Sequence, residues 1–266
     1  MSIVKFFPEG WDYKTCEITK ENINNVIDEN KVFQGIVDSC DESYNLHVSL
    51  ENGLNGIIPR EEIEGININE NGIPKEELCT GKVHKYVQFK VKSIEDNNLI
   101  LSRKDVQADA INWIKNDMQE GQQVCGIVKN IKPYGVFIEI GGGVVGLAHI
   151  EDLSVARIKS PYERVKIGQK LNIMVKSIDR ETGRVILSYK EEFGTWEENV
   201  KNFQEGTKVK GIVRETEKNK NGIFIELTPN LVGMAEYKEN LQYGQTVNVY
   251  IKRIIPEKKK VKLVII

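Results

Sequence analysis

The sequence predicts a mainly β chain of three small five-stranded barrels in tandem, joined by short α-helices. Three observations carry that prediction. Val136, Ile138 and Ile140 alternate with Phe137 and Glu139, the period of two that marks a strand with one buried face. That strand and four neighbours, 124–131, 144–149, 170–178 and 184–189, are separated by Gly, Pro and charged residues, which suggests a small closed barrel. Gly35, Gly126 and Gly211 head three related units, QGIV, CGIV and KGIV, and a strand of the same pattern follows each.

Taken in order, the chain divides into a helical lead-in (1–30), a first barrel (31–104), a linker helix (105–120), a second barrel (121–190), a second linker helix (191–205) and a third barrel (206–266). Thr19 is the expected cap of a lead-in helix carrying Ile23, Val26 and Ile27. Asp105 is the expected cap of a helix with Val106, Ala110, Ile114 and Met118 at helical spacing. Thr195 and Glu198 form a capping box, and Trp196, Val200 and Phe203 then fall on one side. These stripes are expected to pack against the adjoining barrels as semi-rigid spacers.

In the three barrels the inward positions of the second strand are Leu46, Val48 and Leu50, then Val136, Ile138 and Ile140, then Ile223, Ile225 and Leu227. The outward position between the first two of each set holds His47, Phe137 and Phe224. Burying either phenylalanine would flip the strand and expose three aliphatic side chains, so both rings are expected to face outward.

The 266 residues are 40% apolar and 29% charged, ordinary for a soluble globular protein. The net charge of −2 conceals a division. Residues 121–190 carry 11 basic and 6 acidic side chains and residues 206–266 carry 12 and 6, whereas residues 31–104 carry 9 and 12. Charge segregated by domain attracts a phosphate backbone locally while keeping the chain soluble. The longest apolar runs are strand-sized and the N-terminus lacks a secretion-type pattern, so a cytoplasmic protein without a spanning helix is expected. Cys16, Cys40, Cys79 and Cys125 show no CxxC and no His at ligand spacing, which argues against a zinc site or a disulfide framework.

The second unit reads V.G.V..I..YGVFIEI....GLAHIEDL followed by GQKLNIMVKSID...GRVILS, and across nearly its whole length it resembles the RNA-binding module repeated in the ribosomal protein S1 family. The resemblance implies a five-stranded OB-fold, whose second and third strands and adjoining loops bind oligonucleotides. It also implies that Tyr134, Phe137, His149, Asp179 and Arg184 form the RNA-binding face. Single-stranded RNA offers a charged backbone and splayed bases that stack on aromatic rings. Tyr134 and Phe137 are three apart, so a twist or bulge at Gly135 is expected to turn both outward. Arg184 is available for a phosphate or a base, or for a salt bridge to Asp179.

The third unit keeps Phe224, puts Lys260 opposite Arg184, and places Asn221, Glu236 and Ile255 opposite Tyr134, His149 and Asp179. Its excursion between third and fourth strands is shorter, and Lys258, Lys259, Lys260 and Lys262 give it a basic rim. The first unit has Pro59 opposite His149 and Asn98 opposite Arg184, lacks the outward Phe, and is expected to dock on protein instead, with the small ribosomal subunit as candidate.

Gly141, Gly143 and Gly146 formally spell GxGxxG, but they join two strands rather than opening a helix, so the reading is a hairpin turn and not a dinucleotide site. No cofactor, metal or catalytic grouping is implied. The expected function is non-enzymatic binding of single-stranded messenger RNA in translation at the ribosome. The alternative is a regulatory adaptor that binds RNA and contacts a protein through the first barrel.

Overall fold

The computed structural model describes the chain apart from residues 1–5, 13–17, 19–22, 29–30, 51–53, 67, 96–97 and 215–221. It holds three closed five-stranded barrels of one topology. The first comprises β1 (Phe33–Cys40), β2 (Leu46–Ser49), β3 (Asn55–Ile58), β4 (Tyr86–Glu95) and β5 (Asn98–Ser102). The second comprises β6 (Gln123–Lys132), β7 (Gly135–Gly141), β8 (Val144–His149), β9 (Lys170–Asp179) and β10 (Arg184–Ser188). The third comprises β11 (Lys208–Val213), β12 (Ile223–Thr228), β13 (Leu231–Ala235), β14 (Thr246–Ile255) and β15 (Lys260–Ile265). In each, the third and fifth strands pair in parallel, and the fourth closes antiparallel on the first.

The alternation places side chains as expected. Val136, Ile138 and Ile140 lie in the second core with Leu153, Ile173 and Leu187. Leu46 and Val48 lie in the first core, and Ile223 and Ile225 in the third. Leu50 and Leu227, at the strand ends, are only partly buried. Each fully buried aliphatic side chain contributes about 1.5–3 kcal/mol.

The recurring glycines are steric necessities. A Cβ on Gly126 would stand 2.6 Å from Ile138 Cγ2, and one on Gly35 2.7 Å from Val48 Cγ1; Gly211 faces Ile225 in the same way. A second set, Gly56, Gly146 and Gly233, is crossed by Leu101, Leu187 and Leu263 of the fifth strands. The repeat is thus preserved wherever two strands approach too closely for a side chain.

Among the described residues four α-helices accompany the barrels: α1 (Ile23–Asp28), α2 (Glu76–Thr80), α3 (Lys104–Asn116) and α4 (Trp196–Val200). Thr19, Cys16 and Asn221 lie outside the described residues. The capping box of α4 is present, with Thr195 accepting from the Glu198 N–H and the Glu198 carboxylate accepting from the Thr195 N–H. Trp196, Val200 and Phe203 pack on the third core. Asp105 does not cap α3. The helix begins two residues earlier than that cap would place it, at Lys104 with Arg103 in the cap position, and the Ser102 hydroxyl accepts the Asp105 N–H at 3.0 Å, because the turn follows directly on β5. Val106, Ala110, Ile114 and Met118 form part of the second barrel's core, so α3 is more than a spacer. The Ile114 and Lys115 carbonyls in its last turn, and the Met118 carbonyl just beyond it, accept from the Arg180 guanidinium, as the end of a helix favours.

The first and second barrels are joined by a strap, residues 6–11. Phe6 enters the second core, the Gly10 N–H donates to the Tyr86 carbonyl of β4, and the Glu9 N–H donates to the Glu139 carboxylate of β7. Gly141, Gly142 and Gly143 form the expected hairpin turn with φ of 123°, 58° and 76°, and a Cβ on Gly141 would meet the Phe6 carbonyl at 2.6 Å. Beneath the strap the Glu9 carboxylate accepts from Lys82 (2.6 Å), Arg103 (2.5 Å) and Lys129 (2.9 Å). Glu64 accepts from Lys82 and Gln107, both at 2.9 Å, and Lys129 also reaches Glu139 at 3.0 Å. The acids Glu9, Glu64 and Glu139 are thereby balanced by Lys82, Arg103 and Lys129 in a nearly water-free junction.

Candidate nucleic-acid interface

The site is built on the outward rows of the barrels. Cross-strand pairing sets Phe137 of β7 beside Leu147 of β8, and Leu147 beside Ile186 of β10. The equivalent row in the third barrel is Phe224, Met234 and Lys262. In the first it is His47, Ile57 and Ile100. Phe137 and Phe224 are half-buried and belong to neither core, so the expected side-chain direction is what the fold contains.

Tyr134 is 51% exposed and sits edge-on to Phe137, with ring centroids 6.2 Å apart and planes at 84°. The bulge expected at Gly135 is not there. Register between β7 and β8 is regular from Gly135 to Glu139, and Tyr134 reaches the outward face because it lies in the turn before β7. Gly135 serves a different need: a Cβ there would stand 2.5 Å from the Ala148 carbonyl oxygen of β8.

His149, paired with Gly135 across the ladder, ends β8 and is exposed. Its Nδ1 accepts a long bond, 3.5 Å, from the Glu151 N–H, which holds the ring at the rim. Asp179 pairs with Arg184 in the ladder but spends its carboxylate on its own turn. It accepts from the Thr182 hydroxyl (2.5 Å) and from the Glu181 and Thr182 N–H groups, and these bonds hold its pKa below the usual carboxylate range, helped by the nearby Arg184 charge. No Arg184–Asp179 salt bridge forms, and the Arg184 guanidinium makes no ion pair among the described residues. Lys260 takes the same ladder position opposite Ile255 and is exposed. The structure therefore brings Tyr134, Phe137, His149, Asp179 and Arg184 to one side of the second barrel, and Phe224 and Lys260 to the matching side of the third.

Several features of the site were not read from the sequence. Each fourth strand carries an extra residue opposite the fifth, at Lys92, Lys176 and Lys252, and such bulges re-aim a side chain. Lys92 is held by Glu62 at 2.8 Å. Lys176 and Lys190 are held by Asp152 at 2.7 and 3.1 Å, and although burial pushes the Asp152 pKa up, the two lysines hold it below its ordinary value. Tyr44 was also missed. It stands three residues before His47, as Tyr134 does before Phe137, but the Arg60 guanidinium lies 4.6 Å from its ring centroid and covers it. Among the described residues no group of three or more His, Cys, Asp or Glu side chains could hold a metal ion.

Residues 117–190 match the family described as "S1 RNA binding domain", over the barrel that carries Tyr134 and Phe137 on its outward side. Residues 117–190 therefore belong to the S1 RNA-binding domain family, and the barrels before and after them share that strand topology. It is similar to "Small ribosomal subunit protein bS1" of Staphylococcus aureus (strain MRSA252), 36% identical over 196 residues, covering 66% of this chain and 49% of that one. The protein of the same name from Pseudomonas aeruginosa is 34% identical over 200 residues, covering 67% of this chain and 35% of that one. The chain thus spans about half the length, or less, of these curated relatives. Among solved structures, a multidomain protein with nucleic acid binding domains from Streptococcus pneumoniae is 14% identical, with 89% of this chain and 73% of that chain covered and a TM-score of 0.26. The a/eIF2alpha–aDim2p–rRNA complex from Pyrococcus horikoshii gives 26% identity, 32% and 51% coverage and a TM-score of 0.28.

Proposed function

We propose that the chain binds single-stranded RNA, as a non-enzymatic protein, through the outward faces of its second and third barrels. The observation that carries the reading is the edge-to-face pair of Tyr134 and Phe137 on the outward side of the S1-matching barrel, with the Arg184 guanidinium, which makes no ion pair among the described residues, on the same side. Splayed bases stack on such rings while cations take the phosphates. Messenger RNA at the small ribosomal subunit, and hence a cytoplasmic place of work, is the biological setting the bS1 relatives support. The first barrel is assigned to a protein contact, with the small subunit as candidate, because Arg60 already occupies its Tyr44 ring.

The test is titration of the full chain with a single-stranded oligoribonucleotide and with its duplex, at several salt concentrations. Preference for the single strand, with affinity falling as salt rises, is expected. Equal affinity for both forms, or a flat salt response, refutes the reading. Co-sedimentation with small subunits at low salt separates the ribosomal role from that of a free regulatory adaptor.

A further inference from the structure

A groove of about 950 Å³ lies where the third barrel meets the second. Phe224 and Met234 line it from the third barrel's outward row, Lys260 and Lys262 from β15, and Val155 and Arg157 from the second barrel's excursion between β8 and β9. The two residues from the second barrel are held there by the main chain. The Ala156 N–H donates to the Pro229 carbonyl at 2.9 Å, and the Val155 N–H donates to the Asn230 side-chain oxygen at 3.2 Å. Asn230, itself buried, donates onward to the carbonyls of Lys190 (2.6 Å) and Gly194 (2.7 Å), tying the excursion to the linker before α4. Farther along the excursion, Arg164 donates to Glu226 of β12 at 2.7 Å, and Glu163 receives Arg214 and the Tyr243 hydroxyl. The excursion is therefore fixed to the third barrel at two places, with Ala156 only 1% exposed between two exposed neighbours, Val155 and Arg157.

The chemistry of the groove is that of a polyanion with flat apolar units. Phe224 and Met234 offer an aromatic face and a polarisable thioether, and Arg157, Lys260 and Lys262 make no ion pair among the described residues. Two other lining cations are already committed, Lys259 to Glu197 at 2.8 Å and Arg214 to Glu163 and Glu226. An acidic peptide would satisfy the charges but leave the apolar floor unmatched; single-stranded RNA satisfies both.

We infer that the third barrel's RNA site is composite, with Arg157 of the second barrel as one of its phosphate ligands, so that one RNA strand is held by two barrels at once. The inference rests on the RNA-binding reading above and adds a residue from outside the barrel that presents the stacking ring. Its test uses the full chain and a labelled single-stranded oligouridylate, comparing the natural protein with Arg157→Ala, Phe224→Ala, the double variant and Arg157→Lys. Arg157→Ala should weaken binding about two- to fivefold, the range of an exposed ion pair. It should also lower the slope of log affinity against log salt by roughly 0.7, one phosphate contact on a single strand. Arg157→Lys should restore that slope. The double variant should lose less than the product of the two single losses, as residues gripping one strand are coupled. If the natural chain binds and Arg157→Ala changes neither affinity nor slope, the composite site is wrong while RNA binding stands. If the natural chain does not bind, the RNA reading itself fails. Arg157-dependent capture of a polyglutamate peptide more tightly than of the oligouridylate would replace RNA with a protein ligand and overturn the inference.

Discussion

Replacing Phe137 with alanine separates a stacking platform from a core side chain. The ring is half-buried, outside the second core, and meets the Tyr134 ring edge-on with centroids 6.2 Å apart. Truncation removes an edge-to-face contact of about 0.5–1.5 kcal/mol, together with part of the ring's burial. The expected stability loss is about 1–2 kcal/mol, well short of the roughly 3–5 kcal/mol that a core phenylalanine costs. Base stacking on such a ring is worth about 1–3 kcal/mol, so affinity for a short single strand should fall about five- to 150-fold. Because Phe224 holds the matching place in the third barrel, the loss on a longer oligonucleotide should sit at the low end for Phe137→Ala alone and grow in Phe137→Ala/Phe224→Ala. Fluorescence anisotropy of labelled RNA reads the first quantity and urea denaturation the second. A stability loss of roughly 3 kcal/mol or more would place the ring in the core. Unchanged affinity in a folded double variant would remove stacking from the mechanism.

Two further outcomes follow from the buried charges. Glu9→Ala leaves Lys82 and Arg103 short of an anion in the junction of the first two barrels, where burial pushes the Glu9 pKa up but the three cations hold it well below the carboxylate range. Stripping one partner from a buried ion cluster costs about 3–5 kcal/mol, and a denaturation midpoint that does not move would show that the strap is not anchored by charge. Asp152→Asn should cost less, about 1–2 kcal/mol, because Lys176 and Lys190 are partly solvated and screened. The folded Asp152 pKa is depressed, so its contribution is present above its unfolded value of about 3.9 and is lost as pH falls through the folded pKa. The natural protein should therefore lose stability more steeply than Asp152→Asn below about pH 4, and parallel acid profiles would refute that assignment.

What the sequence made legible was whatever is written in short range. The alternation at Val136, Ile138 and Ile140, the Thr195–Glu198 box and the glycine headers each depend on neighbours a few residues away or on a repeated strand pairing. The junctions were not legible, because they join residues remote in the chain. Glu9 meets Glu139 and Lys129, and Arg164 meets Glu226, with nothing in local spacing to announce it. Tyr44 was legible in principle, since its spacing to His47 repeats that of Tyr134 to Phe137. Its cover by Arg60 was not, because the arginine arrives from beyond β3.

Charge counting along the sequence also overstated what each barrel can offer a phosphate. Of the second barrel's basic side chains, Lys129, Arg164, Lys176 and Lys190 are ion-paired and Arg180 caps α3. Removing them leaves Lys132, Arg157 and Arg184 among those without an ion pair in the described residues, and two of these, Arg157 and Arg184, border the outward faces. Five of the barrel's 11 basic side chains are thus already committed, and Arg184 is among the remainder on the side that carries Tyr134 and Phe137. Along the tandem the outward row changes from His47, Ile57 and Ile100 through Phe137, Leu147 and Ile186 to Phe224, Met234 and Lys262. The glycine contacts that close the barrels stay constant while this row turns from an imidazole with two aliphatic side chains, to a phenyl ring with two aliphatic side chains, to a phenyl ring with a thioether and an ammonium group. Fold and ligand chemistry thus sit on opposite faces of the same strands. A ring on the outward side can be covered, as Arg60 covers Tyr44 in the first unit, with the barrel left intact.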